Sequence, residues 1–220
     1  MGPDDLLPPD DGLVPLHTRD YQVRSYRLAQ DRLLLRGAVR DRKPAGMYVE
    51  GDPDPLTIHH MVVELEIVYP ALVIEAARVL FETHPHRACP SIADHYGRLV
   101  GLSIARGFTH KVRELFGGPR GCTHTTALLQ AMAPVAIQSN WSMRVSASRD
   151  VPVELRRPPT PEERKAMFAF NLNTCHIWAE GSEHSTRAQA GEETEIPLWI
   201  EDRLRSLGRD PSEWRSFSQG

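Results

Sequence analysis

The sequence predicts an α+β fold, an antiparallel sheet with helices packed on one face, and three observations lead to it. Alternating runs of apolar and polar residues dominate the first third of the chain. Helical periods take over from Ser91. Clusters of Gly, Pro and Asp separate the strand-like runs closely enough for neighbours in sequence to pair as hairpins. With 220 residues and 40% hydrophobic content, the chain is long enough to bury a core of its own.

In order, residues 1–20 form a proline- and aspartate-rich N-terminal arm, 21–200 a single α+β domain, and 201–220 a C-terminal helical extension. Tyr21 to Leu28 and Leu33 to Val39 read as two strands with a turn near Gln30-Asp31. Asp41 to Gly46 breaks the pattern, and Gly51 to Pro55 is a loop. Ile58 to Val68 is the strongest strand, with His59, Met61, Val63, Leu65 and Ile67 on one face and His60 on the wetter one. Tyr69-Pro70 turns the chain, and Leu72 to Phe81 returns beside it.

A helical stripe then runs through Ile92, Tyr96, Leu99 and Ile104, and a second through Phe108, Val112, Leu115 and Phe116, ended by Gly117-Gly118-Pro119. The best core helix spans about Thr123 to Gln138, with Pro134 a kink. Ser146 to Val153 reads as a short strand or loop. Thr160-Pro161-Glu162-Glu163 is a capping box that opens another helix. Leu172 to Trp178 enters a strand, Ile196 to Gly208 is helical, and Asp210-Pro211 caps a last short helix.

A net charge of −3 with scattered basic residues argues against a nucleic-acid binder. No run approaches the ~20 apolar residues of a membrane span, and the acidic N-terminus does not read as a signal peptide. Three cysteines in such a chain point to a reducing cytoplasm. Dinucleotide, P-loop, zinc-protease and serine-hydrolase motifs are all missing.

Chemistry concentrates at two predicted helix starts. Gly118-Pro119-Arg120-Gly121-Cys122-Thr123-His124 places a thiol and an imidazole where unpaired helix N–H groups favour a thiolate. Cys89 stands before Pro90 in the same way. Thiolates and imidazoles bind zinc and iron, although no Cys-x-x-Cys spacing is present. The same cysteines also suit small buried apolar positions. As a lesser reading Cys122 is a nucleophile activated by its helix end and by His124 or another histidine; residues two apart do not face each other on a helix, so His59 is the favoured base. Asp94, in the turn after Cys89, either orients a ligand or complements the helix dipole.

Ile58-His59-His60-Met61, Cys89-Pro90, Leu99-Val100-Gly101-Leu102, Gly107-Phe108, Gly121-Cys122-Thr123-His124 and Asn173-Thr174-Cys175-His176 resemble the bacterial domain-of-unknown-function family 2889, over about residues 20 to 200. That family brings no activity with it. More distantly, the order of hairpin, cysteine, helix, cysteine and long helix is similar to the NifU/IscU-type iron–sulfur scaffold proteins. That likeness implies a scaffold-like core with N- and C-terminal additions, in which His59, Cys89 and Cys122 converge. Histidine then replaces one thiol of the scaffold, which suits a zinc or iron ion with an open position better than a cluster. His124 or Cys175 would be a fourth ligand.

The expectation is therefore a metal-dependent enzyme acting on a small molecule, with His59, Cys89 and Cys122 as ligands and His124 or Asp94 as the acid–base group. A sulfur or iron–sulfur carrier using Cys122 and Cys89 is the alternative, and a non-catalytic metal-stabilised domain the third. Neither nucleic acid nor membrane is an expected partner.

Overall fold

The computed structural model describes residues 6–105, 107–152 and 157–214. It resolves into two compact units, 1–143 and 144–220. In the first, four strands, β1 (Thr18–Ala29), β2 (Arg32–Lys43), β3 (Leu56–Val68) and β4 (Val73–Thr83), form an antiparallel sheet in chain order. Short turns join β1 to β2 and β3 to β4, and a longer loop over 44–55 joins β2 to β3, so each strand neighbours the next in sequence.

Alternation sends Leu33, Leu35 and Val39 of β2, and Met61, Val63, Leu65 and Ile67 of β3, into the core. The opposite face is solvated and carries cross-strand ion pairs such as Arg36–Glu64 at 2.7 Å. Gly37 interrupts the apolar row of β2 for a reason: a Cβ there would lie 2.8 Å from the Met132 sulfur and 3.1 Å from Leu128. Its bare backbone lets the long helix settle on the sheet.

Beyond the sheet, the stripe through Tyr96 and Leu99 forms as expected, but as a 3-10 segment, Cys89–Leu99, with Pro90 in its first turn. The Gly101 and Leu102 backbones then bond to Ile74, so the chain covers part of the β4 edge. Helix α1 (Phe108–Phe116) buries Phe108, Val112 and Phe116, one per turn. Helix α2 (Thr123–Arg149) buries Leu128, Leu129, Met132, Ala136 and Met143. It accommodates Pro134 and continues to Arg149, where the sequence suggested a strand or loop from Ser146; Val153, the end of that stretch, lies outside the described residues.

The second unit contains α3 (Pro161–Phe168), α4 (Glu183–Ala190) and α5 (Leu198–Ser206). The capping box of α3 is present in both directions, between Thr160 and Glu163. No strand forms over Leu172 to Trp178. Asn173 takes a left-handed φ of 61°, Thr174 bonds its hydroxyl to the Asn171 carbonyl, and short 3-10 turns result. Among the described residues no helix is long and apolar enough to cross a membrane.

Candidate metal centre

Asp41 is the centre of the site. It occupies the next core-facing position of β2 after Val39, and only 1% of it is exposed. A carboxylate so deeply buried requires compensation. Arg19, its register partner on β1, supplies most of it: Nε donates to Oδ1 at 2.6 Å and Nη2 to Oδ2 at 2.8 Å. This fork holds the Asp41 carboxyl at about 2, the hydrogen bonds to Arg19 outweighing the cost of burial.

Two imidazoles converge on the same carboxylate. His59 continues the core face of β3 and lies opposite Asp41; its Nδ1 is 3.2 Å from Oδ2. His124, in the first turn of α2, places Nε2 3.1 Å from Oδ2. The two rings stack, with centroids 3.9 Å apart. Burial, and then the neighbouring His59, lowers the pKa of His124 below the usual imidazole value, so its neutral, ligating form is favoured. The three donor atoms of Asp41, His59 and His124 lie within 4.8 Å of one another. A third imidazole, that of His17, puts Nε2 3.4 Å from Asp41 Oδ1.

This donor set keeps His59 but has Asp41 and His124 where Cys89 and Cys122 were expected, which overturns the His/Cys/Cys or Cys/Cys functions built on them. Cys122 lies close by, but on the wrong side of a ring. Its sulfur is 3.7 Å from Nδ1 of His124, whereas Nε2 is the nitrogen that faces Asp41. Cys89 begins the 3-10 segment, with its backbone tied to His86, and contributes no atom to the cluster. Asp94 is exposed on that same segment, and Cys175 is exposed in the second unit, beside His176.

Cys122 precedes the first helical residue, so the rule that positions two apart on a helix diverge does not govern it, and His124 rather than His59 is its imidazole neighbour. The buried Tyr96 hydroxyl sets its backbone, accepting the Cys122 N–H at 2.7 Å. Gly121 is needed there because a Cβ would come within 2.5 Å of the Phe116 carbonyl and 3.0 Å of that hydroxyl.

Sequence reasoning missed Asp41 because Asp41-Arg42-Lys43-Pro44 looked like a break. The signal was the odd-numbered series Leu33, Leu35, Gly37, Val39, which Asp41 extends.

A family described as a protein of unknown function, DUF2889, matches residues 17–138, more than half of the chain. The chain belongs to the DUF2889 family. No curated protein and no solved structure matches it. The DUF2889 region contains Arg19, Asp41, His59, Cys122 and His124, and leaves Cys175 outside.

Proposed function

We propose that Asp41, His59 and His124 bind a divalent transition metal, zinc or iron(II), in a centre where a small oxygen or nitrogen ligand can take a further coordination position. The observation that carries this reading is the convergence of two imidazole nitrogens on one buried carboxylate oxygen from three separate elements. Bonds of about 2.1 Å at tetrahedral or octahedral angles separate donors by about 3.0–3.4 Å. The 3.2 and 3.1 Å distances from Oδ2 to His59 and His124 fall in that range.

Arg19 sharpens the choice of ion. It already balances the charge of Asp41, so a hard cation that relies on anionic oxygen gains little. An ion that draws affinity from imidazole fits better, as two histidines and a carboxylate suit zinc or iron(II). Such an ion would act as a Lewis acid toward a bound water or carbonyl. Free thiols at Cys89, Cys122 and Cys175 support a reducing, cytoplasmic setting. The cysteine-based carrier role implied by the NifU/IscU likeness is no part of the proposal.

One observation favours a second reading. Cys122, His124 and Asp41 form a chain of thiol, imidazole and carboxylate, with links of 3.7 and 3.1 Å. If Nε2–H of His124 donates to Asp41, Nδ1 is left to accept the Cys122 proton and the thiol becomes a nucleophile. If Nε2 holds a metal, Nδ1 carries the proton and donates toward sulfur. One ring cannot do both at once.

Elemental analysis of untagged protein decides between them. About one equivalent of zinc or iron, lost in His59→Ala and His124→Ala but kept in Cys122→Ala, is the expected result. No metal after loading, together with Cys122 alkylation that depends on His124 and Asp41, would replace the metal reading with the thiol one.

A further inference from the structure

The three proposed donors come from β2, β3 and α2, whereas β1, the remaining strand beside Asp41, offers a histidine that this set does not use. His17 immediately precedes β1, two residues before Arg19. Side chains two apart on an extended strand share a face, so His17 follows Arg19 toward Asp41. Its Nε2 reaches Oδ1 at 3.4 Å, the oxygen turned away from His59 and His124. Among the described residues Asp41 is its only polar partner. The side chain is 36% exposed, so solvent reaches one side of its ring.

We infer that His17 is the fourth protein donor of the centre, moving from Oδ1 onto the ion when a metal binds. This rests on the metal reading proposed above. Four donors, three imidazoles and one carboxylate, complete a tetrahedral shell for zinc or cobalt(II). His17 differs from the other three in position: it hangs at the end of an edge strand, whereas Asp41, His59 and His124 are anchored within their elements. It is therefore the donor that an incoming small ligand displaces, which makes the centre closed at rest and open on demand.

Cobalt(II) loading of the full chain tests this, since four-coordinate cobalt absorbs visible light more strongly than five- or six-coordinate cobalt. Wild-type protein should give the intense spectrum. His17→Ala should keep the fold by circular dichroism, lose about tenfold or more in cobalt affinity, and show shifted visible bands as water replaces an imidazole nitrogen. Free imidazole added to that variant should restore the wild-type band positions by filling the vacated position. A His17→Ala spectrum and affinity equal to wild type, with binding still abolished by His59→Ala, would overturn the role of His17 and leave the centre standing. Absence of cobalt uptake by wild type would overturn both.

Discussion

Two cysteine–histidine pairs stand at the starts of helical turns in this chain, and they end in opposite surroundings. Cys122 and His124 open α2 in the first unit; Cys175 and His176 open a three-residue 3-10 turn in the second. As sequence they offer the same chemistry. In the fold, His124 lies against a buried carboxylate and a second imidazole, while Cys175 is exposed and no buried acid stands beside it among the described residues. The local motif does not make the site. A charged side chain held in the core by a strand of the sheet does.

The sharpest way to break this contrast is to remove that side chain. Asp41→Ala strips Arg19 of its fork and leaves two histidines without their shared acceptor. Breaking a buried pair costs about 3–5 kcal/mol; because Arg19 is one-third exposed and can turn to water, roughly 2–3 kcal/mol is expected here. Urea denaturation measures it. The His176→Ala control in the second unit should stay within about 0.5 kcal/mol of wild type. Equal losses at both positions would mean that Asp41 is no more than a surface acid.

Acid should separate the regions next. The carboxyl of Asp41 sits at about 2 in the folded chain, against roughly 4 unfolded. The folded state therefore binds fewer protons, and its advantage is complete above pH ~4 and lost as pH falls toward 2. His124 acts in the same direction at higher pH: its folded pKa is lowered, so its contribution is lost as pH falls below the unfolded value of about 6.5. The Asp41 part should remove on the order of 1–2 kcal/mol, after allowance for solvent around Arg19. In Asp41→Asn the Asp41 share of the loss below pH ~4 should disappear, while the His124 part and the smaller share of exposed pairs such as Glu163–Arg157 in the second unit remain. An unchanged acid limb in that variant would assign the loss to other carboxylates.

How much of this was legible depends on whether a pattern or a meeting of distant elements was needed. The β3 alternation placed His59 on the core face, and the capping box placed the start of α3, because both are local rules of spacing. Asp41 was legible in principle from the period of β2, yet a run of charged residues before a proline outweighed it. The stacking of His59 on His124, and the sulfur of Cys122 facing the far nitrogen of that ring, arise from the way α2 lies over Gly37, which no local pattern records. Reading the cysteines as ligands assumed that reactive residue types would meet one another. The fold brought histidines to an aspartate instead.

Gly121→Ala probes the junction that aims α2 at the site. The new methyl group meets the Phe116 carbonyl and the Tyr96 hydroxyl, so the segment carrying Cys122 must shift. A cost of about 1 kcal/mol in thermal or urea unfolding follows from the overpacking. Metal affinity should fall as well, because His124 follows three residues later. Unchanged stability and affinity would show that the close approach relaxes without moving the helix start.

The smallest effect belongs to the second pair. Cys175→Ser changes an exposed sulfur with no role in the donor set, so stability should move by less than about 0.5 kcal/mol and metal content should not change. The informative quantity is the order of thiol labelling. In the folded protein Cys175 should react with a small alkylating agent before the half-buried Cys122. Metal loading should leave the Cys175 rate alone and change that of Cys122, since the Cys122 sulfur faces the ring of His124. A Cys122 rate indifferent to metal would place the bound ion away from that ring, and with it away from the only buried carboxylate found among the described residues.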